Sequence, residues 1–243
     1  MNPGVLAIVG TGRHGSALAR LAVAAGMAVR LANSRGPHTL AALVGELGPS
    51  ARAGTVDEVA AESDIVIVTL PLHRIDALPE SAFAGKTVVD ATNYYPDWNG
   101  PFAELDDGQT ASSRLVQRRL SGAMVVKSLN TIDFRRLPRR ARPTGDPERS
   151  ALPVAGDRAD AVESVVMLLD CLGFDALVVG GLDDSQCIQP GSPAYGDPYR
   201  GIMPAGADRA AWFAETPGVP VPVATLRELV AGAASPFSRT EPF

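Results

Sequence analysis

The chain has 243 residues, of which 46% are hydrophobic and 20% charged, and its formal net charge is −5. That length fits one large domain, or one domain with an extension, and it is enough to bury a sizeable core. The acidic balance argues against nucleic acid and anionic membrane as main partners, and no apolar run approaches the about 20 residues of a membrane span.

Met1-Asn2-Pro3-Gly4 leads directly into an apolar run, which leaves no room for a secretory leader and predicts a cytoplasmic protein. Cys171 and Cys187 have neither metal-type spacing nor a disulfide framework, so they read as reduced thiols. Val5 to Val9 reads as a buried strand. It breaks at Gly10-x-Gly12-x-x-Gly15, and the chain then takes helical spacing, with Leu18, Leu21, Ala22 and Ala25 on one face and Gly26 as the stop. Gly10 permits the tight turn, Gly12 lets a pyrophosphate approach the backbone, and Gly15 lets the helix pack close to the strand. The free amides at the helix start would hold the phosphate. In this strand–loop–helix setting the pattern predicts a dinucleotide site.

Met27 to Ala32 reads as the second strand, ended by Asn33-Ser34-Arg35-Gly36. Pro37 suits the first position of the next helix, whose stripe is Leu40, Leu43, Val44 and Leu47, with Gly48 as its end. A short third strand is expected at Ala51 to Ala53, and Thr55-x-x-Glu58 is a capping-box pattern. Ile65 to Leu70, stopped by Pro71, and Lys86 to Ala91 are apolar runs typical of central parallel strands. Leu115, Val116 and Leu120 suggest a helix ending at Gly122, and Met124 to Leu129 is a sixth strand. An irregular stretch from Asp133 to Ser150 carries six arginines. Leu152 to Ala155 is a seventh strand, Asp157 is placed to cap a helix carrying Val162, Val165, Val166, Leu169 and Leu172, and Ala176 to Val179 is the last strand.

Strands alternating with helices predict an α/β fold, a doubly wound parallel (Rossmann) sheet over residues 1–182. Residues 183–243 read as a short Pro-rich C-terminal extension wrapped on the sheet, helical only at Ala207 to Ala214 and Thr225 to Ala233.

Ligands of such sheets bind outside the carboxyl ends of the strands, where strand order reverses. The candidate cofactor-binding residues are therefore Gly10, Thr11, Gly12, Arg13, His14 and Gly15 after the first strand, and Asn33, Ser34 and Arg35 after the second. Leu70, Pro71 and His73 follow the fourth strand, Thr92 and Asn93 the fifth, and Asn130 and Thr131 the sixth. The set holds no nucleophile–base constellation, metal cluster or carboxylate pair, so no side chain is assigned a catalytic role and no metal is expected. Such a site suits hydride transfer, in which the cofactors carry the chemistry. An acidic residue after the second strand would bind the ribose hydroxyl of NAD, whereas Ser34 and Arg35 suit a 2′-phosphate, so NADP is expected. Each assignment has a plainer alternative. Arg35 could be a solvated turn arginine, His14 a helix-start residue facing solvent, and His73 a helix cap. Arg135, Arg136, Arg139, Arg140, Arg142 and Arg149 read first as a solvated loop, with an electrostatic collar for an anionic second substrate as the alternative.

Gly10-Thr11-Gly12-x-x-Gly15, Asn33-Ser34-Arg35-Gly36-Pro37, Asp90-Ala91-Thr92-Asn93-Tyr94-Tyr95-Pro96, Lys127-Ser128-Leu129-Asn130-Thr131-Ile132 and Leu152-Pro153-Val154-Ala155-Gly156-Asp157 occur in that order. The set resembles the NADPH:F420 oxidoreductase family, over about residues 4–182. The resemblance implies reversible hydride transfer between NADPH and a deazaflavin, coenzyme F420, as the small-molecule second substrate, in a homodimer. It implies that Thr11, Ser34 and Arg35 hold the 2′-phosphate end, that Leu70-Pro71 lies under the nicotinamide, and that Asn130-Thr131-Ile132 lies near the deazaflavin. Arg13-His14 replaces the family's more usual Asn followed by an aliphatic residue, and His38-Thr39 stands where some members have a phosphate-binding lysine. Another small acceptor (a flavin, imine or quinone), or NADP(H) binding without turnover, remains open on the residues alone.

Overall fold

The computed structural model describes residues 4–233, so Met1 to Pro3 and the last ten residues of the extension, 234–243, lie outside the described residues. Each apolar run singled out above is a strand of one eight-stranded sheet. In chain order the strands are β1 (Val5–Val9), β2 (Ala28–Ala32), β3 (Ala51–Ala53), β4 (Ile65–Val68), β5 (Thr87–Asp90), β6 (Met124–Lys127), β7 (Ala151–Gly156) and β8 (Asp175–Gly180). They lie side by side in the order β3-β2-β1-β4-β5-β6-β7-β8. The first six pair in parallel throughout. Their runs are apolar without alternation because both faces are covered. Leu6 and Ile8 enter the core on one face, Ala7 and Val9 the core on the other.

The expected parallel sheet fails at its far edge. β7 pairs antiparallel with β6, and β8 is parallel to β7, so the last two strands run against the first six. A parallel return is usually made by a helix packed across the sheet face. Residues 128–150, which join β6 to β7, carry prolines at 138, 143 and 147 and form only the single helical turn Leu137–Arg140. The chain therefore doubles back along the edge.

Among the described residues, the α-helices of at least six residues are α1 (Arg13–Ala24), α2 (Ala41–Leu47), α3 (Val56–Ala61), α4 (Ser112–Arg119), α5 (Ala159–Cys171), α6 (Arg209–Glu215) and α7 (Val223–Gly232). Pro37 opens a tight 3-10 turn that runs into α2. The Thr55–Glu58 capping box forms at the start of α3, with backbone–side-chain bonds of 2.8 and 3.3 Å. Asp157 does not cap α5; Arg158 holds that position without a side-chain cap. Asp157 instead accepts from the Arg114 guanidinium and, at 2.9 Å, from the Leu182 amide, tying α4 to the end of β8.

Past β8 the described residues form no strand. Ile188, Ala194, Tyr199, Val221 and Leu226 are buried in the same core that holds Leu6, Leu18 and Val154. Ala151 at the start of β7 is held from both sides, its carbonyl by the Tyr199 hydroxyl at 2.8 Å and its amide by the Val221 carbonyl at 2.7 Å. The arginine-rich stretch is not a solvated loop: Arg136, Arg140 and Arg149 are buried. Arg136 pairs with Asp133 at 3.1 Å and donates to the Phe213 carbonyl. Arg149 reaches Asp170 at 2.6 Å, Asp175 at 2.8 Å and the Phe174 carbonyl at 2.8 Å. The carbonyls of an irregular segment need donors that no ladder supplies, and the five N–H groups of a guanidinium provide them. No helix among the described residues is long and apolar enough to cross a membrane.

Candidate functional site

The reversal of strand order falls between β1 and β4, and the glycine turn opens there. Gly10 has φ +100°, and its amide donates to the Ala32 carbonyl at 2.9 Å. A Cβ on Gly10 would lie 2.9 Å from the Thr69 carbonyl carbon, and one on Gly15 would lie 1.9 Å from the Gly10 oxygen. These two glycines are therefore demanded by the protein itself. A Cβ on Gly12 would meet nothing within 4 Å. Gly12 caps α1 on open space, which is the room a pyrophosphate requires beside the helix amides. The Thr11 hydroxyl is buried with no protein partner among the described residues, a costly state that a bound polar group would relieve. On these two observations the turn fits a dinucleotide phosphate.

The end of β2 divides its labour. Asn33 accepts from the Arg35 amide at 2.9 Å and donates to the Thr39 hydroxyl at 2.9 Å, so it builds the turn. Ser34 and Arg35 are exposed, and neither side chain has a protein hydrogen bond among the described residues. A hydroxyl and a guanidinium side by side with nothing to hold are suited to a phosphate.

The ends of β5 and β6 are knitted together. Asn93 donates to the Asn130 carbonyl at 3.2 Å, and Asn130 donates to the Asn93 side-chain oxygen at 3.3 Å and to the Ile188 carbonyl at 2.8 Å. The Thr131 hydroxyl meets Tyr199 at 3.5 Å, and the Thr131 carbonyl accepts from the Gly196 amide at 2.9 Å. The Thr92 hydroxyl and the Asn130 side-chain oxygen are buried without a protein partner among the described residues. Leu129 has φ +61°, a left-handed conformation rare outside glycine.

His14 joins this group to the glycine turn. It faces inward rather than to solvent, with Nε2 2.8 Å from the Leu129 carbonyl. Burial lowers its pKa, opposed by that hydrogen bond and by Asp133, so the neutral ring donates through Nε2. Arg13, exposed at the first turn of α1, lies over the Phe134 ring at 5.8 Å. Leu70 is half-buried and Pro71 exposed at the end of β4. His73 stands apart from the other candidates: it is exposed, caps no helix, and has Nδ1 3.3 Å from the Asn99 amide nitrogen.

Three features escape the sequence reading. Thr69 donates its hydroxyl to the Gly10 carbonyl and its amide to the Val9 carbonyl, pinning the glycine turn from beneath. Asp90 and Lys127 form a fully buried ion pair at 3.2 Å. Ser113 donates to Asp90 at 2.6 Å, and Lys127 also donates to the Thr92 carbonyl. Burial pushes Lys127 down in pKa and the Asp90 charge pulls it back. A signal for the pair existed: each residue ends an apolar run, and the parallel register places Asp90 opposite Lys127. The third feature is the contact between the Tyr95 and Tyr195 hydroxyls, across which the extension meets the turn after β5.

Residues 5–94 match the family model for coenzyme F420-dependent NADP oxidoreductases. Among solved structures, a hypothetical protein from Sinorhizobium meliloti is 33% identical over 76% of this chain and 89% of its own, with a TM-score of 0.65. A candidate F420-dependent NADP reductase from Arthrobacter sp. FB24 is 25% identical over 74% of this chain and 86% of its own, with a TM-score of 0.62. An imine reductase from Pseudomonas sp. shares the fold at 18% identity, over 74% of this chain and 56% of its own, with a TM-score of 0.52. No curated protein sequence matches the chain. The glycine turn, the Ser34–Arg35 corner and the matched residues agree, and the chain belongs to the coenzyme F420-dependent NADP oxidoreductase family.

Proposed function

We propose that this NADP oxidoreductase exchanges hydride between NADP(H) and a deazaflavin of the coenzyme F420 type, as a cytoplasmic homodimer. The observation that carries the reading is the glycine turn open at Gly12 together with the unengaged Ser34–Arg35 corner. The amides of the turn and the Thr11 hydroxyl would hold the pyrophosphate, and Ser34 and Arg35 the 2′-phosphate. Leu70 and Pro71 would underlie the nicotinamide, and Asn130 and Thr131 would face the second substrate. When bound, NADP(H) supplies the hydride. The chain's own part is to orient, to exclude water and to present hydrogen-bond donors. The family's description and the Arthrobacter relative favour a deazaflavin as the acceptor.

The test is an absorbance assay with NADPH against a panel of oxidised deazaflavin, flavin, imine and quinone. Bleaching of the deazaflavin band at a rate well above the other acceptors is the expected result. Turnover of another acceptor alone would replace the deazaflavin, and NADPH binding with no acceptor reduced would make the protein a binding module.

A further inference from the structure

The hydroxyl pair of Tyr95 and Tyr195 has no part in the reading above. Tyr95 lies two residues beyond Asn93, on the turn after β5, and Tyr195 comes from the extension. Their phenolic oxygens are in hydrogen-bond contact, and both residues are half-buried. Both ends of the contact are fixed to the strand ends. Asn93 donates to the Asn130 carbonyl at 3.2 Å, and the Gly196 amide, next to Tyr195, donates to the Thr131 carbonyl at 2.9 Å. The pair therefore stands beside Asn130 and Thr131, at the carboxyl ends of β5 and β6, where ligands of such sheets bind.

Two phenols carry two hydrogens and can each accept as well. One hydrogen lies between the two oxygens. The other has no acceptor in the protein among the described residues, since neither oxygen has a second partner. Burial raises the pKa of both phenols, so both hydrogens stay in place at working pH. Arg200, held by Asp197 at 2.7 Å and Asp133 at 3.5 Å, acts on both phenols in the sense that favours negative charge there, while Asp133 opposes it at Tyr195. The site thus offers one free O–H in a half-buried setting beside a cation.

We propose that the Tyr95–Tyr195 pair, through the one hydroxyl hydrogen not shared between the two oxygens, donates a hydrogen bond to the oxygen or ring nitrogen of the acceptor on which negative charge gathers as hydride arrives. The proposal rests on the functional reading above. It restricts the second substrate to conjugated acceptors carrying a carbonyl oxygen or ring nitrogen in electronic contact with the carbon that takes the hydride. The electron pair enters with the hydride, the phenol keeps its proton throughout, and the proton that completes the reduction comes from water. The phenol that accepts the shared hydrogen is the catalytic residue of the pair, since its own hydrogen is free, and its partner is a positioning residue.

The experiment compares wild type with Tyr195→Phe, Tyr95→Phe and the double variant in steady-state turnover of NADPH with deazaflavin. NADPH affinity is read by nicotinamide fluorescence and stability by thermal melting. Removing a donor aimed at developing charge lowers kcat by about 10²- to 10³-fold. Of Tyr95→Phe and Tyr195→Phe, the variant that removes the donating phenol should lose about 10²-fold in kcat, and the double variant little more, because the two act as one unit. The variant that removes the orienting phenol should lose about tenfold, since the donor remains but is no longer oriented. NADPH affinity should stay within about twofold, because the pair stands apart from the glycine turn that would hold the dinucleotide. A double variant with unchanged kcat and a lower melting temperature overturns the proposal and makes the pair a strut. A wild type that reduces no acceptor of the panel overturns the functional reading as well, so the two failures are distinct.

Discussion

Arg35 stands exposed beside Ser34, while Asn33 commits its amide to the turn that presents them both. A charge-assisted bond of this kind is worth about 1.5–3 kcal/mol, which is about 10- to 150-fold in affinity. Arg35→Ala should weaken NADPH by that range and leave NADH nearly unchanged, since NADH lacks the 2′-phosphate. Equal losses for the two dinucleotides in steady-state kinetics would assign Arg35 to structure. His14 makes a different prediction. Its folded pKa lies below the ordinary value of 6.5 because burial disfavours the charged ring. Below about pH 6.5 the unfolded chain therefore binds a proton that the folded protein refuses. His14 contributes stability that is fully present above that pH and is lost as pH falls toward its folded pKa, by at most about 1.4 kcal/mol per unit. His14→Gln keeps a donor for the Leu129 carbonyl and removes the titration. Urea midpoints should fall further between about pH 7 and about pH 5 in wild type than in His14→Gln; equal falls would exclude the assignment.

The elements meet the site through β5 and β6, and the buried Asp90–Lys127 pair fastens those two strands where they end. Removing one partner leaves an uncompensated buried charge, at a cost of about 3–5 kcal/mol. Lys127→Met should lower stability by that amount in urea unfolding. Adding Asp90→Asn should restore part of the loss, because the double variant has no orphaned charge; a fully additive loss would show that the residues are not coupled. The carboxamide introduced by Asp90→Asn would keep an oxygen for the Thr92 amide, and its NH2 would stand where a carboxylate oxygen now accepts from Ser113, whose hydroxyl can turn to accept instead. At this scale the sequence was most readable. Strands buried on both faces appear as unbroken apolar runs, so Val5 to Val9 and Ile65 to Val68 could be placed almost to the residue. The glycine spacing was equally plain, because the clashes at Gly10 and Gly15 are local. Strand direction was not legible: the reversal of β7 depends on the path of residues 128–150, which no periodicity records. Arg136 reads as solvated in the sequence because the carbonyl that holds it, that of Phe213, is 77 residues away. The Tyr95–Tyr195 contact joins residues 100 apart and escapes for the same reason.

The extension completes the molecule. Its apolar side chains share the core of the sheet, and its carbonyls are the acceptors for Arg136 and Arg139. Trp212 lies in α6, within this part, whereas Trp98 is 77% exposed on the turn after β5. Trp98→Phe therefore leaves a single tryptophan that reports on the extension, while far-UV circular dichroism reports on the helices as a whole. If the extension and the sheet share one core, the two signals must unfold together, since coincidence of probes marks a two-state transition. Leu226 is fully buried in α7, and truncating such a leucine to alanine costs about 2–5 kcal/mol. In the Trp98→Phe background, Leu226→Ala should lower the Trp212 and circular dichroism midpoints by the same amount. A Trp212 transition that moves to lower denaturant while the dichroism midpoint stays would show the extension fraying by itself. Tyr195 and the Ile188 carbonyl would then be released from the strand ends without loss of the sheet, and the wall beside Asn130 would be a separable part of the fold.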